Sequence, residues 1–439
     1  MAETDTRLGN RVLIGLAVGA AAGALVHALS GALPALLPGA TWLATQVLDP
    51  AGQVFLRLLF FVVLPLVFCS LAHGVMQLGD VRSLGRISTR TFALFILNMA
   101  VGTVLGLIMM NLLEPGHALG AAMRTRLVAD YGGAAQAHIQ NRSQAPSMTL
   151  STLVDMFLPR NLFGAFIGNS RTQLGDVLPL IVFAILVGIS GTRLTAARHD
   201  RVREMLETGV DVMTGIVHLA LRLAPYAVPA LVFSVVVRVG PQVLVALGLF
   251  VAGCISVMLL HLFGTMSLWL KLWARVPPRE FFRRIRTVLV TAFTTSSSNA
   301  TLPAALATAR DELGIRPQTA GFVLPLGTTM NMSGTALYEG CVVLFVAQVF
   351  GVELSLVSQF TLLVLAVLSA VAVAGIPGGS LPLIAGLLIS FGIPPEGIGI
   401  ILGVDRLLDM TRTMVNVGCD MVTCQIVERM SRADQAPSA

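Results

Sequence analysis

Residues 373–382 read Val-Ala-Gly-Ile-Pro-Gly-Gly-Ser-Leu-Pro, in the middle of a segment, 354–395, that carries no charge. Such a run is longer than one crossing needs, because about 20 residues span the hydrocarbon core of a bilayer. Gly375, Pro377, Gly378, Gly379 and Pro382 break it, and glycine and proline are the poorest residues for a helix interior. The reading that fits is a re-entrant hairpin, two short helices joined by an irregular tip. Backbone of that kind is tolerated at membrane depth only where it is buried in protein or lines a cavity. Residues 292–309 form a second candidate, with Ser296-Ser297-Ser298-Asn299-Ala300-Thr301-Leu302-Pro303 at its centre. Charges that prefer the same side flank it: Lys271, Arg275, Arg279, Arg283, Arg284 and Arg286 before, Arg310-Asp311-Glu312 after.

Composition sets the frame for both hairpins. Hydrophobic residues make up 55% of the chain and charged residues 12%, with a mean hydropathy of +0.82. A soluble domain carries about 25% charged residues, so the chain reads as an all-α, polytopic membrane protein set in a lipid bilayer. Further apolar segments run near 12–31, 53–79, 91–113, 176–192, 205–237, 239–270, 317–350 and 397–427. Basic clusters lie between some of them (Arg82, Arg86, Arg90; Arg193, Arg198, Arg201, Arg203), before the first (Arg7, Arg11) and after the last (Arg429, Arg432). Placing these clusters inside puts both termini in the cytoplasm and makes the span count even. The expectation is eight transmembrane helices plus two re-entrant helical hairpins, one from each side of a plasma (inner) membrane. The start runs straight into residues 12–31, without a convincing cleavage site, so no signal peptide is expected. The net charge of +6 is that of orienting loops and does not suggest a nucleic-acid partner. Cys69, Cys254, Cys341, Cys419 and Cys424 sit in apolar segments without metal spacing and read as small core residues.

The second half thus reads hairpin–helix–hairpin–helix, as an internal repeat. Each helix that follows a hairpin is expected to carry a polar break: Asn331-Met332-Ser333-Gly334-Thr335 in one, Asn416-Val417-Gly418-Cys419-Asp420 in the other. Paired interruptions in corresponding halves of a membrane protein point to a binding site near the midplane. The last helix adds a stripe, since residues three or four apart share a helical face. Asp405, Asp409, Arg412 with Thr413, Asn416 and Asp420 fall on it, with Arg406 off it near the membrane edge. Each ionised residue at mid-membrane costs about 2.5–3.5 kcal/mol on insertion scales, and three acids with one base do not neutralise themselves. An Asp409–Arg412 bridge that only locks helices, or exposure at a helix end, would explain part of this. The excess of acid suits cations, and one guanidinium beside it suits a carboxylate gripped by two parallel hydrogen bonds. The serine cluster lacks a sequence-adjacent base and any nucleophile elbow, so an enzyme is not expected. Hydroxyls and amides at a hairpin tip, with a helix starting after it, suit an anion instead.

These residues carry a resemblance to the dicarboxylate/amino acid:cation symporter family, the glutamate and aspartate transporters, over residues 10–430. It rests on GQVFLRLLFFVVLPLVFCSL at 52–71, GDVRSLGR at 79–86, SSSNATLP at 296–303, LPLGTTMNMSGTALYEG at 324–340, GIPGGS at 375–380 and DMTRTMVNVGCD at 409–420. The resemblance implies a homotrimer with inverted repeats, working as an elevator. It places scaffold spans 1–2 in 1–79, transport span 3 in 80–113, an outer loop and scaffold spans 4–5 in 114–237, transport span 6 in 238–276, the transport core in 277–430 and a cytoplasmic tail in 431–439. It further implies that Arg412 binds the substrate's side-chain carboxylate and Asp409 its amino group. Thr413, Asn416, Thr335, Ser297, Ser298, Gly375 and Gly378 complete that pocket. Asp420 with Asn331, Gly327 and Asn416 matches a sodium site. Relatives for C4-dicarboxylates lack an acid at the Asp409 position, so its presence favours aspartate or glutamate over succinate or malate.

The departures from the family pattern concern the ions. The usual NMDGT reads Asn331-Met332-Ser333-Gly334-Thr335, so an acid is lost at Ser333. Its partners in the third span, commonly tyrosine, threonine and serine, align with Phe95, Asn98 and Met99. Groups that would share one ion are lost together, and that sodium site is expected to be absent. Val373 stands where some sodium-coupled relatives have threonine. Glu339 aligns with the glutamate that carries the coupled proton in mammalian relatives, and burial disfavours an ionised carboxylate. A neutral, hydrogen-bonded structural role for Glu339 is the competing reading. The coupling cations expected are therefore H+ and, through the Asp420 site, Na+, with no other cofactor. A C4-dicarboxylate:cation symporter and an anion-conducting, channel-like protein on the same fold stay open as other readings. The polar stretch 114–150 reads as an outer loop without assigned function.

Overall fold

A computed structural model of the chain describes every residue except 1, 31, 34, 81–85, 120–157, 159, 168–176, 373–379 and 436–439. Val373, Gly375, Gly378 and most of the 114–150 stretch therefore lie outside the described residues. Every regular element among the described residues is helical. The principal helices are α1 (Ala2–Leu29), α2 (Asp49–Phe61), α3 (Val63–Asp80), α4 (Arg86–Leu113), α5 (Val177–Gly191), α6 (Ala196–Leu221), α7 (Ala224–Val239) and α8 (Gln242–Leu259). They are followed by α9 (Arg286–Thr295), α10 (Ser298–Asp311), α11 (Pro317–Met330), α12 (Ser333–Phe350), α13 (Leu356–Ala372), α14 (Leu381–Ser390) and α15 (Ile398–Gln435).

Among the described residues, four helical runs are long and apolar enough to cross a membrane: Leu36–Met76, Arg86–Ala118, Gln242–Ala274 and Pro317–Phe350. A fifth is the pair α6–α7, bent by 58°. The single apolar segment expected over 205–237 is thus a broken one. Pro225 in the first turn of α7 lacks the N–H that would bond the Leu221 carbonyl and continue the ladder of α6.

Two packing groups surround the polar residues. In the first, α1 lies along α7, and α3 along α5 and α6. Gly15, Gly19 and Gly23 share one face of α1 and let the backbones close up; a Cβ at Gly19 would lie 3.0 Å from Pro229 Cα, and one at Gly23 would lie 2.8 Å from Val236 Cβ. In the second, α4 runs against α12, while α15 packs on α9, α11 and α12. All of α12 is buried, as expected of a helix apolar nearly all round. That burial makes its few polar groups, Ser333, Thr335, Tyr338, Glu339 and Gln348, interior features.

The sequence motifs fall at the breaks. Ser296 ends α9 in the left-handed conformation (φ +52°), and the extended Ser297 starts α10, so the serine cluster is a helix–break–helix turn whose arms pack together. Asn331 and Met332 leave helical geometry between α11 and α12, as the polar motif predicts. The corresponding break expected at 416–420 does not occur, because α15 is continuous from Ile398 to Gln435. Its polar side chains are satisfied sideways by the broken α11–α12 pair, and no proline interrupts it. At its far end Glu428 accepts hydrogen bonds from Arg316 Nε (2.9 Å), Thr319 Oγ1 (2.6 Å) and Arg432 Nε (2.6 Å), while Asp434 pairs with Arg90 (2.9 Å). These contacts pin α15 to the starts of α11 and α4.

Candidate functional site

The stripe on α15 is buried: Asp405, Asp409, Arg412, Thr413, Asn416 and Asp420 are all enclosed. Arg412 donates from Nη2 to Asp409 Oδ1 and from Nη1 to Ser380 Oγ at the start of α14. Its guanidinium carbon lies 5.1 Å from the centroid of the Tyr338 ring, within cation–π range. Tyr338 in turn donates to Asp405 Oδ1 at 2.8 Å. Arg406 does not sit off the stripe as expected. Its long side chain is largely enclosed and brings Nη1 to 3.9 Å from Asp409 Oδ2, one helical turn away. Two cations thus converge on Asp409, and the stripe is nearer to balance than its own residues suggest.

One and two turns further along, α15 meets the broken helix. Thr413 bonds inward to the Asp409 carbonyl (2.9 Å). Asn416 Oδ1 accepts from the backbone N–H groups of Gly334 (2.7 Å) and Thr335 (3.3 Å), and its Nδ2 donates to Thr335 Oγ1 (3.2 Å). The first N–H groups of any helix lack partners within it, so Asn416 caps α12 from a neighbouring helix. Asp420 Oδ1 accepts from Asn331 Nδ2 at 2.8 Å. Gly327 lies against the same carboxylate, where a Cβ would overlap it. The Gly327→Ala protein is therefore expected to lose about 1–3 kcal/mol of stability through overpacking, read as a lowered melting temperature of the purified protein.

The serines of the first break fall into two roles. Ser297 caps α10 by accepting from the Ala300 N–H (3.3 Å), and Ser298 is buried beside it. The packing of α9 and α10 on α15 brings this turn to the striped helix. Glu339 is fully buried on α12, next to Tyr338, and among the described residues neither carboxylate oxygen has a hydrogen-bond partner. Phe95, Asn98 and Met99 occupy one buried face of α4, with Ser333 buried at the start of the α12 they face. Asn98 donates from Nδ2 to Asn331 Oδ1 (3.1 Å) and is bonded through Oδ1 to His261 Nε2 (2.9 Å).

Sequence reading missed four residues of this constellation: Ser380, Tyr338, Arg406 and His261. Ser380 and Tyr338 lie within the motifs quoted above, and their polar tips in apolar runs were the available signal. His261 stands alone in an apolar segment, and nothing nearby in sequence marks it.

The chain matches the sodium:dicarboxylate symporter family over residues 8–430. It is 29% identical over 387 residues to the proton/glutamate-aspartate symporter of Escherichia coli K12, covering 86% of this chain and 83% of that one. It is 30% identical over 373 residues to the proton/sodium-glutamate symport protein of Bacillus subtilis, covering 84% and 83%. Against C4-dicarboxylate transport protein 2 of Bradyrhizobium diazoefficiens the identity is 28% over 382 residues, covering 86% and 81%. With the match running over nearly the whole length, the chain belongs to the sodium:dicarboxylate symporter family and is a multi-pass membrane transporter, not an enzyme.

Proposed function

We propose that the protein imports an acidic amino acid, L-aspartate or L-glutamate, by symport with cations, with protons favoured and sodium dependence reduced or absent. The observation that carries the substrate reading is the buried Asp409–Arg412 pair, held between Ser380 and the Tyr338 ring. An acidic amino acid offers a carboxylate to the guanidinium fork and an ammonium to Asp409, so both charges keep a partner when substrate enters. Thr413, Asn416, Thr335, Ser297, Ser298, Gly375 and Gly378 would complete the pocket. Asp420, Asn331, Gly327 and Asn416 are the candidate sodium site, and Glu339 is the candidate proton carrier. The names of the Escherichia coli and Bacillus subtilis relatives, a proton/glutamate-aspartate and a proton/sodium-glutamate symporter, support acidic substrates and both cations. In the same reading the protein is a homotrimer with cytoplasmic termini, in which segments 80–113 and 238–430 move against a scaffold.

The test is uptake of labelled L-aspartate and L-glutamate into proteoliposomes, under an inward proton gradient alone or a sodium gradient alone. Accumulation on protons without sodium is expected. Accumulation only with sodium overturns the coupling assignment.

The Bradyrhizobium relative, a C4-dicarboxylate transport protein, motivates a second reading in which the substrate is a C4-dicarboxylate. Asp409 argues against it, since a diacid has no ammonium to meet that carboxylate. Succinate in excess is expected to leave labelled aspartate uptake nearly unchanged. The Asp409→Asn protein is expected to lose aspartate affinity by about tenfold or more as a charge-assisted bond becomes a neutral one. Strong competition by succinate against the unmodified protein would favour the second reading.

A further inference from the structure

Four buried side chains, three from separate helical segments and one from the α11–α12 break, join into one line: His261, Asn98, Asn331 and Asp420. Its direction is set by the two amides: Asn331 presents Nδ2 to Asp420 Oδ1 and keeps Oδ1 for Asn98. Asn98 then donates through Nδ2 and offers its own Oδ1 to His261. This orientation requires the Nε2–H tautomer of the imidazole with a bare Nδ1, and among the described residues Nδ1 has no hydrogen-bond partner. A doubly protonated ring would bury an N–H without an acceptor.

The backbone is built for this contact. His261 lies in a widened, π-type turn, Leu260–Thr265, that interrupts the regular ladder after α8, a distortion frequent at functional positions. Gly102 leaves the gap through which the ring reaches Asn98; a Cβ there would lie 3.3 Å from both His261 Nε2 and the Ser333 carbonyl oxygen. By the resemblance described above, Asn98 and Ser333 are expected to fall where relatives carry sodium ligands.

We propose that His261 is a positioning residue for cation selectivity: as first donor of this one-way chain it turns both amide oxygens onto N–H groups, so that internal donors take the place of a sodium ion beside Asn331. This rests on the reading that the sodium site at Phe95, Asn98, Met99 and Ser333 is lost, and explains what fills it. With Asn331 Oδ1 and Asn98 Oδ1 each accepting a hydrogen bond, sodium gains neither oxygen without breaking a buried amide contact. Losing the His261 donor frees Asn98 to turn and releases an oxygen as ligand, so sodium affinity rises. Breaking one buried hydrogen bond of this type corresponds to about a tenfold change in affinity.

The test is direct titration of sodium into the purified full-length protein by calorimetry, with choline replacing sodium at constant ionic strength. The expected result is weak binding by the unmodified protein, binding about tenfold tighter for His261→Leu, and affinity within about threefold of the unmodified protein for His261→Gln, whose amide again supplies a donor. Asn98→Ser, which removes the donor to Asn331 by another route, is expected to tighten sodium binding similarly and serves if His261→Leu does not fold. Equal sodium affinity in the unmodified protein and in whichever of these variants folds overturns the proposal. A gain of sodium affinity in His261→Leu supports it even where aspartate uptake fails in both gradients, in which case only the substrate reading falls.

Discussion

Replacing Arg412 with alanine is expected to reduce uptake of an acidic amino acid by about 10²–10³-fold, the usual consequence of truncating one side of a buried, hydrogen-bonded charge pair. The guanidinium reaches Asp409 and Ser380 at once and lies over Tyr338. No other cation on the stripe replaces it, because Arg406 approaches the opposite oxygen of Asp409. The same change uncovers the buried carboxylates of Asp409 and Asp405. Breaking a buried pair from one side costs about 3–5 kcal/mol, so the alanine protein is also expected to melt lower. Two further variants separate binding from stability. Arg412→Lys keeps a positive charge but not the planar fork that matches a carboxylate, and is expected to recover stability while uptake stays at least about tenfold down. Pairing Arg412→Ala with Asp409→Asn removes both charges, and is expected to raise the melting temperature above that of Arg412→Ala without restoring uptake. Uptake near the unmodified level in Arg412→Ala would end the assignment of the pocket.

Much of this site is legible in the sequence because it is local. The stripe from Asp405 to Asp420 needs only the helical repeat, and α15 presents it as that repeat requires. Asn331 to Thr335 reads as an interruption because Asn, Ser, Gly and Thr in succession are poor helix formers in an apolar context, and α11 and α12 part there. The same reasoning fails at Asn416 to Asp420. An equally polar motif stays helical, since Asn416 and Asp420 find their partners on α12 and at Asn331 rather than in their own backbone. Which of two polar motifs breaks is decided by tertiary hydrogen bonds, and periodicity does not carry that information. The bend between α6 and α7 is written in Pro225, yet a hydropathy count runs through it. His261 is the least legible. Its partner is 163 residues away, and only the π-type turn and Gly102 bring the two together.

Replacing Glu339 with glutamine is expected to abolish pH-driven uptake while leaving substrate exchange. The side chain sits in the middle of the fully buried α12, and among the described residues neither carboxylate oxygen has a hydrogen-bond partner. A carboxylate charge in that position would carry a desolvation cost of several kcal/mol, which the Ser369 hydroxyl and the Arg412 guanidinium offset only in part. Enclosed in this way, the group is suited to travel as the neutral acid and to release its proton only where water reaches it. That is the behaviour required of a proton carrier. Glutamine reproduces the shape and neutrality of the acid but carries no exchangeable charge. Exchange of internal for external substrate needs no net proton movement and is expected to continue within about threefold of the unmodified rate, well under one hydrogen bond's worth of change. Net uptake should respond differently. With internal pH fixed, the unmodified protein is expected to accumulate more aspartate as external pH falls, because protonation from outside loads the carrier, whereas Glu339→Gln should give a flat profile. The measurement is labelled aspartate uptake into proteoliposomes across external pH 5.5 to 8, beside exchange in the same preparation. A pH response unchanged by the substitution would remove Glu339 as the carrier, and loss of exchange together with uptake would assign it to the architecture of α12.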